Sequence, residues 1–488
     1  MSLRKSEVQV PSPVYKDKSL GIVEPKILRG FRDLLPTDMI ALEKIISVIK
    51  DVCESYGFIP TSTPAIEYKN ILLAYGEETS KEVYFFEEPD GNMVGLRYDL
   101  TVPLSRVIAQ YKNLPKPFKR YQVSTVWRYD KPNPGRFREF IQFDIDAVGT
   151  SSISADSEII LAIYDCLERL GPSFIIRLNN RKILNSLIVF AGIEPNMARS
   201  VFRVIDKLEK QGIEVVKQEL GPGRVDISGD KIKGLGLNEV QIKKIEEFLS
   251  LPKNTCSEAI DSLKELFKSV KGAEEGIDEI KEIHDHLDCL SIPDGKIIID
   301  FSIARGLDYY TGPVFEVVLT DAKEYGSVVG GGRFDELIGY FTGENTPATG
   351  ASVGIDRLLE ALKKLKLVKT KPSTADVIIT IMVKDKLGEY QKIAKKIRDA
   401  GIKTELYVGE KTSIKEQLKY ADKQDIPVAV IVGEDEFTRN EASIKDLRVI
   451  KKQKIEIGER EAYLKERIGQ KKVPMGNLVE EIKLMLKK

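Results

Sequence analysis

KRYQVSTVWRYDKPNPGRFREFIQFDIDAVG, residues 119–149, decides how the rest of the chain is read. Both halves are strand-like runs of aromatic and β-branched residues, and the DKPNPGR between them, with Pro132 and Pro134, would break a helix. The stretch predicts two antiparallel strands around a long loop. With a side-chain period of two, Gln142, Asp144 and Asp146 share one face of the second strand. Arg128, beside Trp127 at the end of the first, is a cation that needs an anionic partner or ligand. From Lys116 to Glu139 seven basic residues face two acidic ones. An exposed basic hairpin and a phosphate grip both fit that composition, since guanidinium groups hold phosphate oxygens bidentately.

Working outward, TDMIALEKIISVIKDVCESYGF places Leu42, Ile45, Ile46, Ile49, Val52, Cys53 and Tyr56 on one helical stripe, with Gly57 as a stop. EVYFFEEPDGNMVGLRYD predicts a hairpin turning at PDGN. SADSEIILAIYDCLERLG predicts a helix, SFIIRLNN a strand, and residues 182–290 a mainly helical insertion. Strand-like sequence returns in KIIIDFSIARGLDYYTGPVFEVVL, where Arg305 sits as a charge in a run that reads as buried strand. There alternation sends only one of Tyr309 and Tyr310 to a pocket, and Tyr310 is favoured. The triple glycine 330–332 reads equally as a tight bend or as a ligand contact. ATGASVGIDRLLEALKKLK reads as a small-residue strand running into a helix. After the linker KTKPST, residues 369–374, strands and helices alternate as an α/β domain over 375–488.

Composition narrows the chemistry. Seventy-five basic residues balance seventy-five acidic ones over 488 residues, so any nucleic-acid surface must be local. The two histidines, His284 and His286, fall in a polar helical stretch and read as solvated, which removes histidine triads and His-rich metal sites. No P-loop is present, so a bound nucleotide would be held by arginines. Four scattered cysteines, no signal-peptide core and no run of roughly 20 apolar residues lead us to expect a cytoplasmic protein with no membrane span.

Residues 118–149 resemble motif 2 of the class II aminoacyl-tRNA synthetases, ATGASVGIDRLLEAL resembles motif 3, and the segment from Thr37 to Pro64 resembles motif 1. LRYDLTVPLSR and RGLDYYTGPVFE resemble the two signatures particular to histidyl-tRNA synthetases, in their archaeal and eukaryotic form. The likeness covers about residues 25–488. It implies an α+β fold: an antiparallel sheet flanked by helices, a helical insertion and a C-terminal α/β anticodon-binding domain. The implied division is a tail over 1–24, a catalytic core over 25–181 and 291–368, the insertion over 182–290, the linker 369–374 and the anticodon domain 375–488.

The resemblance further implies ATP-dependent activation of L-histidine, transfer to tRNA(His) and a homodimer. Arg128 would hold the ATP α-phosphate, Arg357 the far phosphates and Arg136 would assist, with Mg2+ accompanying ATP on ligands the sequence does not name. Asp99, Thr101 and Gln142 would take the ammonium group, with Leu100 also at the histidine site, while Asp146 and Tyr310, with Tyr309 beside them, would flank the imidazole. Arg305 would be the catalytic arginine between the histidine carboxylate and the α-phosphate. Asn133 and Arg138 would meet the tRNA. Positions 99 and 146 are Asp where the bacterial branch has Glu. The alternative is a non-catalytic, histidine-binding regulatory paralogue, which would normally lack the C-terminal domain and part of the catalytic set.

Overall fold

The computed structural model describes residues 24–131, 135–226, 229–252, 255–290, 292–293, 295–304, 309–410, 413–449 and 469–487. Its centre is an eight-stranded sheet: β1 (Ile59–Pro60), β2 (Phe118–Trp127), β3 (Glu139–Val148), β4 (Phe174–Asn180), β5 (Ile297–Ile299), β6 (Pro313–Leu319), β7 (Ser327–Arg333) and β8 (Ala348–Gly354). The spatial order is β1-β2-β3-β8-β7-β6-β4-β5. The six inner strands pair antiparallel, as expected. At the two edges β1 pairs with β2, and β5 with β4, in parallel, so the sheet is mixed. Parallel neighbours need long crossovers; here these are residues 61–117 and 181–296.

Alternation divides the sheet into two unlike faces. Tyr121, Phe143, Ile145, Ala351, Val353, Phe315, Val317, Ile176 and Leu178 point into one hydrophobic core, roofed by the helices Pro36–Ser55, Ser154–Leu170 and Ile355–Lys364. That core runs on without a break into segment 182–290, through Phe202, Phe248 and Ile280. The opposite face carries Arg120, Gln122, Gln142, Asp144, Asp146 and Ser352 among glycines. Burying those polar groups on an apolar face would be costly, so one register fixes both the core and the polar cleft.

The triple glycine is not a bend: Gly330, Gly331 and Gly332 lie inside β7. A Cβ on Gly331 would fall 2.5 Å from the Phe315 ring, and one on Gly332 would fall 2.9 Å from Tyr310, whereas Gly330 faces open space. The long strand expected across residues 296–319 is also interrupted. β5 ends at Ile299, and the Asp300 carboxylate turns back to accept the Ser302 N–H at 3.0 Å, a side-chain turn that competes with pairing.

The C-terminal residues build a second, five-stranded sheet from Thr404–Leu406, Val377–Ile379, Val428–Ile431, Glu441–Asp446 and Gln470–Pro474, in that order. The first three strands are parallel and the rest antiparallel. A separate core containing Val377, Tyr390, Val430 and Ile482 closes it.

Candidate active site

The cleft floor is the polar face of the central sheet. Register places Arg120 opposite Asp146 and Gln122 opposite Asp144, while β8 sets Gly350 against Asp146 and Ser352 against Asp144. A Cβ on Gly350 would lie 2.1 Å from Asp146 Oδ1, so only glycine leaves that carboxylate its place. Above the floor, the Asp99 carboxylate caps the helix Thr101–Gln110, accepting the N–H groups of Thr101 and Val102 at 3.0 and 3.1 Å. Tyr309 and Tyr310 complete this end, their rings edge to face at 5.0 Å. Neither lies in a strand, so alternation does not separate them; the Tyr309 hydroxyl meets Thr101, while Tyr310 stands over Gly332.

This end is acidic. Fully buried Arg120 pairs with Asp146 at 2.9 Å and donates to the Leu100 carbonyl at 3.0 Å. Asp146 is nonetheless pushed up to about 7, because burial and the charges of Asp144 and Asp99 outweigh Arg120. Burial likewise raises Asp144 to about 6 against the pull of Arg120 and hydrogen bonds from Ser352 and Gln142. An unfolded aspartate titrates near 3.9, so between about pH 4 and 7 the folded chain binds the extra protons. Stability from these groups is therefore fully present below about pH 4 and lost as pH rises through 6 to 7. Asp144→Asn, which cannot ionise, is expected to melt roughly 1–4 °C above the wild type at pH 8, with the gap closing by pH 5. Thermal melts at the two pH values check this.

The other end is basic. Arg128 leaves β2 stacked 4.3 Å from the Tyr98 ring and 5.2 Å from the Phe140 ring, and donates from Nε to the Tyr98 carbonyl at 3.0 Å. Its Nη2 reaches Gln142 Oε1 at 3.4 Å, and among the described residues it has no carboxylate partner. Arg357, on the first turn of the helix Ile355–Lys364, donates to the Ser327 carbonyl. Both arginines line a cavity of about 330 Å3, with Arg136, Gln142, Tyr310, Gly330 and Ser352. Three carboxylates also line it, and each is held by an arginine: Asp130 by Arg136 at 2.6 Å, Glu316 by Arg177 at 3.0 Å and Asp356 by Arg32 at 2.6 Å. Among the described residues no group of three His, Cys, Asp or Glu side chains could hold a metal.

One surface thus joins a buried anionic recess to an open arginine-lined cleft, as activation of an amino acid by a nucleotide requires. Comparison with known proteins agrees. The family model described as Histidyl-tRNA synthetase matches residues 30–358, and the model described as Anticodon binding domain matches 376–467. The chain is 40% identical over 481 residues to a histidine–tRNA ligase of Dinoroseobacter shibae, covering 94% of this chain and 96% of that one. It is 39% identical over 492 residues to that of Rhizobium meliloti, covering 96% and 97%. The crystal structure of histidyl-tRNA synthetase from Nostoc sp. PCC 7120 superposes with a TM-score of 0.79 at 33% identity, covering 95% of this chain and 99% of that one.

The chain belongs to the histidyl-tRNA synthetase family. The relatives named here are bacterial, and they give the expected archaeal and eukaryotic form no support. Of the residues singled out for this family from sequence, Asp99, Leu100, Thr101, Arg128, Gln142, Asp146, Tyr309 and Tyr310 come together around the recess, and Arg136 and Arg357 line the cleft. Arg138 does not line it: its side chain donates to the Asp130 carbonyl at 3.0 Å and stacks 4.1 Å from the Tyr129 ring. Arg305 and Asn133 lie outside the described residues. The sequence reading counted Arg120 only among the seven basic residues of 116–139, without a role of its own, and did not single out Ser352. Period-two alternation of Arg120 with Gln122, laid against Asp146 and Asp144, carried the first of these signals; the second depends on β8 pairing with β3. His286, read as solvated, is half-exposed but hydrogen-bonds Ser157 Oγ at 3.0 Å.

Proposed function

We propose that this protein is a histidine–tRNA ligase, which activates L-histidine with ATP to histidyl-adenylate and passes the histidyl group to tRNA(His). The observation that carries the reading is Arg128, a guanidinium with no carboxylate partner among the described residues, at the mouth of a recess holding Asp99, Asp144 and Asp146. Arg128 takes the α-phosphate of ATP and Arg357 the far phosphates, with Arg136 assisting from the loop. Asp99, Thr101 and the Gln142 oxygen take the ammonium group of histidine. Its imidazole lies between Asp146 and Tyr310, so a side chain lacking either nitrogen leaves a buried polar group unpaired.

One histidine carboxylate oxygen then bonds to the α-phosphorus as the bond to pyrophosphate breaks. No general base is needed, because the carboxylate is already ionised. Arg128 and Arg305 stabilise the charge that grows on the phosphate. In the second step a hydroxyl of the terminal ribose of tRNA attacks the carbonyl carbon, the bond to the phosphate oxygen breaks, and AMP and the hydroxyl proton leave. Mg2+ arrives with the ATP phosphates as part of the substrate, a reading that suits a cleft whose carboxylates are already paired to arginines. The 376–467 domain supports recognition of the anticodon, and Asn133 with Arg138 is assigned to the acceptor end. The regulatory-paralogue alternative is disfavoured by that same domain, and the domain limits expected from sequence are kept as part of this reading.

The protein acts as a cytoplasmic homodimer. Ile66, Tyr68 and Tyr111 are exposed around a second cavity of about 830 Å3, an apolar patch that a second copy would cover. No described helix is long and apolar enough to cross a membrane. Ile66→Lys with Tyr68→Lys is expected to convert a dimer to a monomer by sedimentation velocity, and a wild-type monomer would refute the assembly. The activity is tested by charging tRNA(His) transcript with labelled histidine: histidyl-tRNA formation that needs ATP is expected, and its absence from folded protein overturns the reading.

A further inference from the structure

Gln142 is a side amide, and which of its two ends faces the pocket decides what it binds. Its nitrogen donates to Asp144 Oδ1 at 3.0 Å and to Ser352 Oγ at 2.8 Å. Both N–H bonds are therefore spent inward, and the oxygen turns to the cleft beside Arg128 Nη2 at 3.4 Å. Ser352 does not set this polarity alone, since a hydroxyl donates or accepts equally well. An ionised Asp144 does set it. It accepts from the Gln142 amide and from the Ser352 hydroxyl, which leaves the Ser352 lone pair to receive the second amide hydrogen. Asp144 is itself buried, on the strand between Gln142 and Asp146, and the register fixes it opposite Ser352.

We infer that Asp144 is a positioning residue that makes Gln142 an obligate acceptor, and so sets the requirement for an ammonium group on the amino-acid substrate. This rests on the histidine-site reading above. Asp144 touches no reacting atom in this account; it acts through Gln142. Asparagine at this position is isosteric but both donates and accepts. Its amide can donate to Ser352, the Ser352 hydroxyl can then donate to the Gln142 oxygen, and Gln142 can turn its nitrogen towards the ammonium, giving up only the long 3.4 Å bond from Arg128 Nη2.

Isothermal titration at pH 8 of the full-length wild type and Asp144→Asn with histidine, and with its deamino analogue imidazolepropionate, tests this. In the wild type the ratio of the two dissociation constants is expected to favour histidine by about 100-fold or more. Asp144→Asn should lower that ratio about tenfold or more, while affinity for imidazolepropionate shifts by less than about threefold. Ser352→Ala, which leaves every charge in place, should move the ratio the same way by less. A ratio in Asp144→Asn within about twofold of the wild type, including equal weakening of both ligands, overturns the inference alone. A wild type that does not distinguish histidine from imidazolepropionate overturns the site reading and the inference with it.

Discussion

Replacing Arg128 by alanine is expected to slow histidine-dependent exchange of pyrophosphate into ATP by about 10²–10³-fold, with the fold intact. The guanidinium makes one backbone hydrogen bond and stacks on Tyr98 and Phe140, so its loss opens space at a cleft wall and strands no buried carboxylate. Little of its worth is structural. In the proposed reaction its donors meet the negative charge that grows as pyrophosphate leaves, and a preorganised cation there requires no reorganisation at the moment of reaction. Arg128→Lys should recover only part of the rate, since a point charge does not reproduce a planar fork. Exchange kinetics with circular dichroism on the same samples separate lost chemistry from lost structure.

Asp146→Asn should lower kcat/KM for histidine on the order of 10²-fold while leaving KM for ATP within a few-fold. Asp146 sits at the closed end of the recess, paired with Arg120 and made room for by Gly350. It lies beneath the position assigned to the imidazole and away from the arginines assigned to ATP. Asparagine keeps the shape and a weaker acceptor, and Arg120 retains the Leu100 carbonyl and Gln122. Removal of the whole side chain would instead leave a fully buried cation without its carboxylate, at a cost of about 3–5 kcal/mol, which would confuse stability with binding. An unchanged kcat/KM for histidine would remove Asp146 from the pocket. Steady-state exchange with histidine and ATP varied in turn reads both constants.

Much of this site is readable locally. Gln142, Asp144 and Asp146 share a face because they alternate, and two prolines bar a helix between Arg128 and Arg138. The basic loop and the strand running into the Ile355–Lys364 helix follow in the same way. What local sequence does not contain is register. Arg120 meets Asp146 because β2 and β3 pair as they do, and Ser352 meets Asp144 only once a strand some 200 residues away joins β3. The parallel edges depend on crossovers of more than fifty residues, which no period within a strand records.

The run around Arg305 misled for the opposite reason. Its apolar residues alternate well enough for a strand, but Asp300 closes a turn on Ser302, and among the described residues the next strand begins at Pro313. Tyr309 and Tyr310 then pack ring against ring instead of on opposite faces. The triple glycine, which reads equally as a bend or as a ligand contact, is held straight in β7. Gly331 is required by Phe315 below and Gly332 by Tyr310 above, and Gly330 leaves the cleft floor bare.

The most direct test of the central claim is amino-acid-dependent exchange of pyrophosphate into ATP, run with each of the twenty amino acids and repeated on Arg305→Ala. Exchange with histidine alone, and its collapse in Arg305→Ala, is the predicted result. Exchange supported by another amino acid, or full activity in the variant, would contradict it.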